Sequence, residues 1–211
     1  MKIAIRSWAL GACTFCLALA CERSPRADRV EEPLLTAPAP KAKARDAAPS
    51  LDISLAYPAV EAIGAKKRIR WEKTAPVDAR SAPDAWKIEF EKVGGFAGIC
   101  WKNKLGNEGE APGDDLSKAR YRRITFWAKG AAGGEVVEFR AGGLGNVKTR
   151  YRESFDVSAG KIRLTPSWSE YTIYVMDADL SSVMTPFCAL FHREDNAEHT
   201  VVYVDDIQYG G

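Results

Sequence analysis

The 211 residues are 46% hydrophobic and 27% charged, the balance of one packed domain with appendages rather than two separate cores. Thirty basic side chains against twenty-eight acidic ones leave a formal net charge of +2. That is too weak a field for recognition of a phosphate backbone, so nucleic acid is excluded as a partner.

The N-terminus carries Lys2 and Arg6 ahead of the apolar run from Trp8 to Ala20. A short basic region, an apolar stretch and small residues at its end are the parts of a secretory signal, assigned here to residues 1–20. The run falls short of the roughly 20 residues needed to span a bilayer. Two cleavage modes compete. "ALA" at 18–20 reads as an A-x-A site, whereas "LALAC", ending at Cys21, resembles the bacterial lipobox, with Ala18 where leucine is usual. The lipobox is favoured: Cys21 is expected to be acylated, giving an exported, membrane-anchored envelope protein. The other cut leaves Cys21 an unpaired thiol. Residues 21–51 are rich in Ala, Pro and mixed charge without apolar periodicity, and are expected to form a disordered tether.

From residue 52 to 211 the apolar pattern has period two. "WKIEFE" sets Trp86, Ile88 and Phe90 against Lys87, Glu89 and Glu91, and "RITFWAK" sets Ile124, Phe126 and Ala128 against Thr125, Trp127 and Lys129. That alternation predicts half-buried strands. Further strands are predicted at "EVVEFRA", "KIRL", "SEYTIYVM", "PFCALFH" and "TVVYVDDIQY", separated by Gly, Pro, Asp, Asn and Ser clusters. Many short strands with such turns predict an all-β sandwich or barrel. Only "AVEAIGAKKR" has weak helical character, interrupted by Gly64. Cys100 and Cys188 both fall in predicted strands of a chain that can meet an oxidising compartment. A disulfide between them and two buried thiols packed as small hydrophobes both satisfy the sequence.

The order "GFAGICW", "ARYRRITFWAKGAAGGEVVEFRAGG", "LTPSWSEYTIYVMDADLSSV", "TPFCALF", "VYVDDIQY" resembles the jelly-roll carbohydrate-binding modules of the galactose-binding-like superfamily, over roughly Trp71 to Tyr209. The resemblance implies a two-sheet antiparallel jelly-roll β-sandwich, often with structural calcium. In such modules an aspartate of the last strand helps hold that ion. Asp205 is the first choice here and Asp206 the second, with Asp52 or Glu61 as the earlier acidic partner, although six to eight oxygens must converge to bind it.

A pyranose offers C–H bonds on one face and hydroxyls round its edge, so its site needs an aromatic plate with fixed donors and acceptors. If Ile124, Phe126 and Ala128 face the core, Trp127 points outward. Glu138 and Arg140 then point outward from the next strand while Val137 and Phe139 point in. Trp127, Glu138 and Arg140 are therefore expected to line one surface, with the guanidinium fork and the carboxylate addressing hydroxyls. A covered Trp127 is the competing expectation. Trp101 at a strand end and Tyr151 beside the Gly-rich "AGGLGN" loop complete the candidate ligand-binding set, Trp101 being equally well placed for the core. The loop lacks the spacing and the following helix of a phosphate cradle.

Catalytic patterns are missing. His192 and His199 fit no zinc motif and are expected in a solvated loop. There is no G-x-S-x-G and no E-x-D-x-x-E, and carboxylate pairs such as Glu138 with Glu153 or Asp156 arise in any acidic domain. The expected function is non-catalytic saccharide binding on an aromatic-bearing outer sheet face. The alternatives are an envelope protein partner at that face, a structural lipoprotein, and last a polysaccharide-degrading enzyme.

Overall fold

The computed structural model describes residues 49–91, 94–143, 148–196 and 199–211. The expected signal segment, Cys21, nearly all of the tether and the second half of the Gly-rich loop lie outside them.

Among the described residues eleven strands follow one another: β1 (Ser50–Asp52), β2 (Ala59–Gly64), β3 (Ile69–Lys73), β4 (Trp86–Glu91), β5 (Phe96–Lys102), β6 (Arg123–Gly130), β7 (Val136–Gly142), β8 (Asp156–Arg163), β9 (Ser169–Tyr174), β10 (Phe187–His192) and β11 (His199–Gly210). They form two antiparallel sheets. The first has the order β3-β4-β11-β6-β9, with β1 also pairing β11, and the second β2-β5-β10-β7-β8. Neighbouring positions are mostly distant in sequence, as a jelly roll requires. Among the described residues one α-helix, α1 (Ile53–Ala56), is one turn long and is capped by Asp52, whose Oδ1 accepts the Leu55 N–H at 3.1 Å.

The stretch with weak helical character is not helical over its first part. Residues 59–64 form β2, which pairs with β5 from Ala59 opposite Lys102 to Gly64 opposite Ala97. Val60 and Ala62 pack on the core while Glu61 points out, so period two holds there, and a turn of 3-10 helix at Lys66–Arg68 follows.

Between the sheets, Phe126 from the first meets Phe139 and Phe187 from the second, with ring centroids 4.5 and 4.9 Å apart. Val137, Ala141, Ala189 and Phe191 of the second sheet and Ile88, Phe90, Val202, Val204 and Tyr209 of the first complete this buried layer. Each fully buried Val, Leu, Ile or Phe is worth roughly 1.5–3 kcal/mol relative to exposure, so this layer holds the sheets together.

The β6–β7 connection fixes what the site can contain. Gly133 and Gly134 take φ of 88° and 98°, a region open to glycine but costly for other residues. A Cβ on Gly133 would stand 2.8 Å from Pro166 Cδ. This turn carries the chain from one sheet to the other instead of closing a hairpin: β6 pairs with β11 and β9, and β7 with β10 and β8.

Candidate functional site

Trp127, Glu138 and Arg140 do not share a surface. Trp127 projects from the outer face of the first sheet, whereas Glu138 and Arg140 project from the outer face of the second, because the turn after β6 crosses the sandwich. Alternation places a side chain inside or outside, and both sheets satisfy it equally well.

Trp101 is withdrawn from the binding set. It is fully buried, alternating inward with Ala97 and Ile99, and packs edge-on against Trp86 and Phe187 at centroid distances of 5.6 and 5.4 Å. Tyr151 lies in the segment before β8. Its N–H donates to Gly109 O at 2.9 Å, and the Arg150 guanidinium sits 5.2 Å from its ring.

The outer face of the second sheet is a polar network. His192, the last residue of β10 rather than part of a solvated loop, places Nε2 2.8 Å from Glu138 Oε2. Glu138 also lies near Arg140, which pairs with Asp156. Cys100 and Cys188 stand directly opposite each other on β5 and β10, with Sγ atoms 2.08 Å apart in a disulfide. Beside them Lys102, 0% exposed, holds Glu61 at 2.9 Å, Glu108 at 2.7 Å and Asn107 O at 3.2 Å. Burial pulls the Lys102 pKa down, but its hydrogen bonds to Glu108 and Glu61 outweigh that and leave it raised. Burial likewise raises Glu61, and the Lys102 hydrogen bond and the Gly106 N–H overcome it, so its carboxyl ends below the usual value. This face is filled by its own ion pairs.

The outer face of the first sheet is aromatic. Tyr203 on β11 is the register partner of Lys129 on β6 and of Lys87 on β4. On the far side Lys129 faces Trp168, the residue before β9. Its Nζ lies 5.0 Å from the Trp168 ring and 4.8 Å from the Tyr203 ring, and the two rings are 6.4 Å apart. Both aromatics are half-buried. Lys87 closes the row by pairing with Glu72 at 3.1 Å. One row over, Trp127 sits between Asp205 and Glu170, and the Arg80 guanidinium lies 4.2 Å above its ring.

Sequence reasoning missed Trp168 and Tyr203 as site residues. Tyr203 alternates against the inward Val202 and Val204, a usable signal. Trp168 lies just outside its strand, where periodicity stops being informative.

Solved structures share this architecture. A family 11 carbohydrate-binding module of a cellulosomal cellulase of Clostridium thermocellum aligns over 77% of this chain and 94% of its own, with a TM-score of 0.54 at 13% identity. The family 11 module from Clostridium thermocellum in complex with a β-1,3-1,4-mixed-linked tetrasaccharide aligns over the same shares, with a TM-score of 0.56 at 12% identity. The chain has the fold of a jelly-roll carbohydrate-binding module. A part of an exo-β-agarase, 24% of that chain, also matches, covering 76% of this one with a TM-score of 0.52 at 8% identity. No protein-family model matches the sequence, and no curated protein matches it.

The calcium that the sequence resemblance implies does not fit the acidic residues as they are arranged. Asp205 Oδ2 accepts the N–H groups of Arg80 and Ser81 at 2.9 and 3.0 Å, and Oδ1 accepts the Asp206 N–H at 2.8 Å. Asp206 Oδ1 accepts the Ser81 hydroxyl at 2.6 Å. Donors thus point at the oxygens that an ion would need. Asp52 caps α1 and Glu61 belongs to the other sheet, and among the described residues no group of three or more His, Cys, Asp or Glu converges on one point. A β-bulge makes this arrangement possible. β11 carries one extra residue between Asp205 and Gln208, and Asp206 has φ of 49°, which opens a recess where residues 80 and 81 dock. Burial raises the Asp205 pKa against the lowering effect of its backbone donors. The bulge therefore anchors the loop that brings Arg80 over Trp127.

Proposed function

We propose that this chain is an exported, lipid-anchored, non-catalytic saccharide-binding module whose ligand lies on the outer face of the first sheet, over Trp168 and Tyr203. What carries the reading is the pair of half-buried rings on one outward row with Lys129 between them. The rings supply the apolar plate for sugar C–H groups. Lys129, Lys87, Glu72 and Glu170 supply donors and acceptors for hydroxyls round its edge. An exposed cation–π contact is worth about 0.5–1 kcal/mol, so an incoming ring displaces the Lys129 ammonium at small cost and leaves it free to donate. The fold likeness to carbohydrate-binding modules supports the same reading, as does the lipobox-like "LALAC" at residues 17–21 for the anchor.

A single shallow face of this kind binds weakly, on the order of micromolar to millimolar, since few contacts must offset immobilisation of the ligand. Affinity electrophoresis of a soluble mature form carrying Cys21→Ser, against a panel of neutral soluble polysaccharides, tests the proposal. Retardation by at least one polysaccharide, lost in the Trp168→Ala/Tyr203→Ala double variant, is the expected result. Failure of every polysaccharide to retard the protein, or equal retardation of the double variant, contradicts it. Mass spectrometry of the mature N-terminus tests the anchor: acylated Cys21 is expected, and an unmodified Cys21 removes it.

A further inference from the structure

A second open feature, a cleft, lies at the opposite end of β9 from Trp168. It measures about 690 Å³ and lies where the start of β8 meets the end of β9, on the side where the edge strands of the two sheets come together. One wall is formed by Tyr174, 68% exposed, and Met176, 47% exposed. The inward positions of β9 are taken by Tyr171 and Ile173, so alternation pushes Tyr174 out and keeps its ring face available.

The rim bears carboxylates. Asp156 contributes from the start of β8, and Asp177 and Asp179 from the loop after β9. Among the described residues no Lys or Arg lines the cleft, although Arg140 reaches Asp156 from the outer face of the second sheet. The rim is held in shape by the chain itself. Asp179 Oδ1 accepts the Ser181 N–H at 3.0 Å, the Asp179 carbonyl accepts the Ser154 hydroxyl, and the Ala178 N–H donates to Val175 O at 3.0 Å.

An exposed aromatic wall in a preformed cleft, with acceptors round it, matches a pyranose: C–H bonds on the Tyr174 ring, hydroxyl protons to the carboxylates. The charge selects which one, because a uronate or a sulfated sugar would bring a like charge against Asp177 and Asp179, Asp156 being already paired with Arg140. We infer that this cleft is a second saccharide subsite, selective for a non-acidic pyranose stacked on Tyr174. The inference rests on the saccharide-binding reading above and extends it. Trp168 and Tyr174 share the outward parity of β9 and are six residues apart, roughly 20 Å along an extended strand. One oligosaccharide lying along β9 reaches from the row to the cleft, and engaging both raises its affinity over either contact alone.

The test is a backbone-amide NMR titration of the Cys21→Ser mature form with a neutral mixed-linkage β-glucan oligosaccharide and, separately, with an oligogalacturonate. With the neutral probe, amides of residues 154–157 and 174–179 are expected to shift along with those near Trp168 and Tyr203. Tyr174→Ala should abolish the first set, keep the second and weaken binding of a long oligosaccharide about tenfold. Tyr174→Phe should behave as wild type, which separates loss of the ring from loss of folding. The oligogalacturonate should leave the cleft unmoved. Shifts confined to the aromatic row, or an oligogalacturonate that shifts the cleft as strongly as the neutral probe, overturn the cleft and leave the row standing. Shifts confined to the cleft support it and remove the row. Shifts in neither overturn both.

Discussion

Replacing Cys100 and Cys188 together with alanine cuts the covalent tie between β5 and β10, two central strands of the second sheet. The bridge closes a loop of 88 residues. In the chain-entropy treatment a loop of that length restricts the unfolded chain by about 4.6 kcal/mol, and native bridges removed from small exported domains cost about 2–5 kcal/mol. Packing adds little, since alanine keeps the Cβ atoms against Leu190 and Ile63. For a domain of this size each kcal/mol moves the melting point by roughly 2–4 °C, so a fall of about 10 °C is expected. Thermal and urea melts of the Cys21→Ser form with and without the two substitutions measure it, and a thiol assay in denaturant without reductant should find neither cysteine reactive. Two titrating thiols, or a melting point unchanged within two or so degrees, would refute the reasoning.

Lys102→Met should cost about 2–3 kcal/mol in urea melts, toward the low end for a broken buried pair because Glu108 is half-exposed and can turn to water; an unchanged or raised stability would mean the ion cluster is not a clamp. Glu61, whose carboxyl is held below its ordinary value of 4.5, contributes stability that is complete above about pH 4.5 and is lost as pH falls through the lowered folded value. Melts at descending pH should therefore show a shallower acid loss in Glu61→Gln than in wild type. Added calcium or chelator should leave the melting point unchanged, since the Asp205 oxygens are satisfied by backbone N–H groups; a calcium-dependent rise would show that the residue 80–81 loop yields to an ion. Arg80→Ala should uncover Trp127 and increase acrylamide quenching of tryptophan fluorescence, and equal quenching would remove Arg80 as its cover.

The all-β sandwich was legible in the sequence because strict alternation at "WKIEFE" and "RITFWAK" leaves no other way to bury one face. The partition of strands between sheets was not. Residues 131–135 look like a hairpin turn, and nothing in period two distinguishes a return to the same sheet from a crossing to the other, so Trp127 was grouped with Glu138 and Arg140. Trp101 was hidden for a different reason. β5 is buried on both faces, with the disulfide and the Lys102 cluster covering its outside, and a strand apolar on both sides loses the phase that would mark its inward residues. The role of Asp205 turned on a bulge and a loop more than 120 residues away, a contact that local sequence does not encode. Tyr174 was within reach, because its parity opposes Tyr171 and Ile173.

Saccharide binding on the first sheet requires that sugar meet the Trp168 ring. The indole N–H signals of the mature protein, followed by NMR during titration with the neutral mixed-linkage β-glucan oligosaccharide, test it most directly. The Trp168 signal is expected to move and saturate while that of the fully buried Trp101 stays fixed. A Trp168 signal that does not move at saturating oligosaccharide would contradict it.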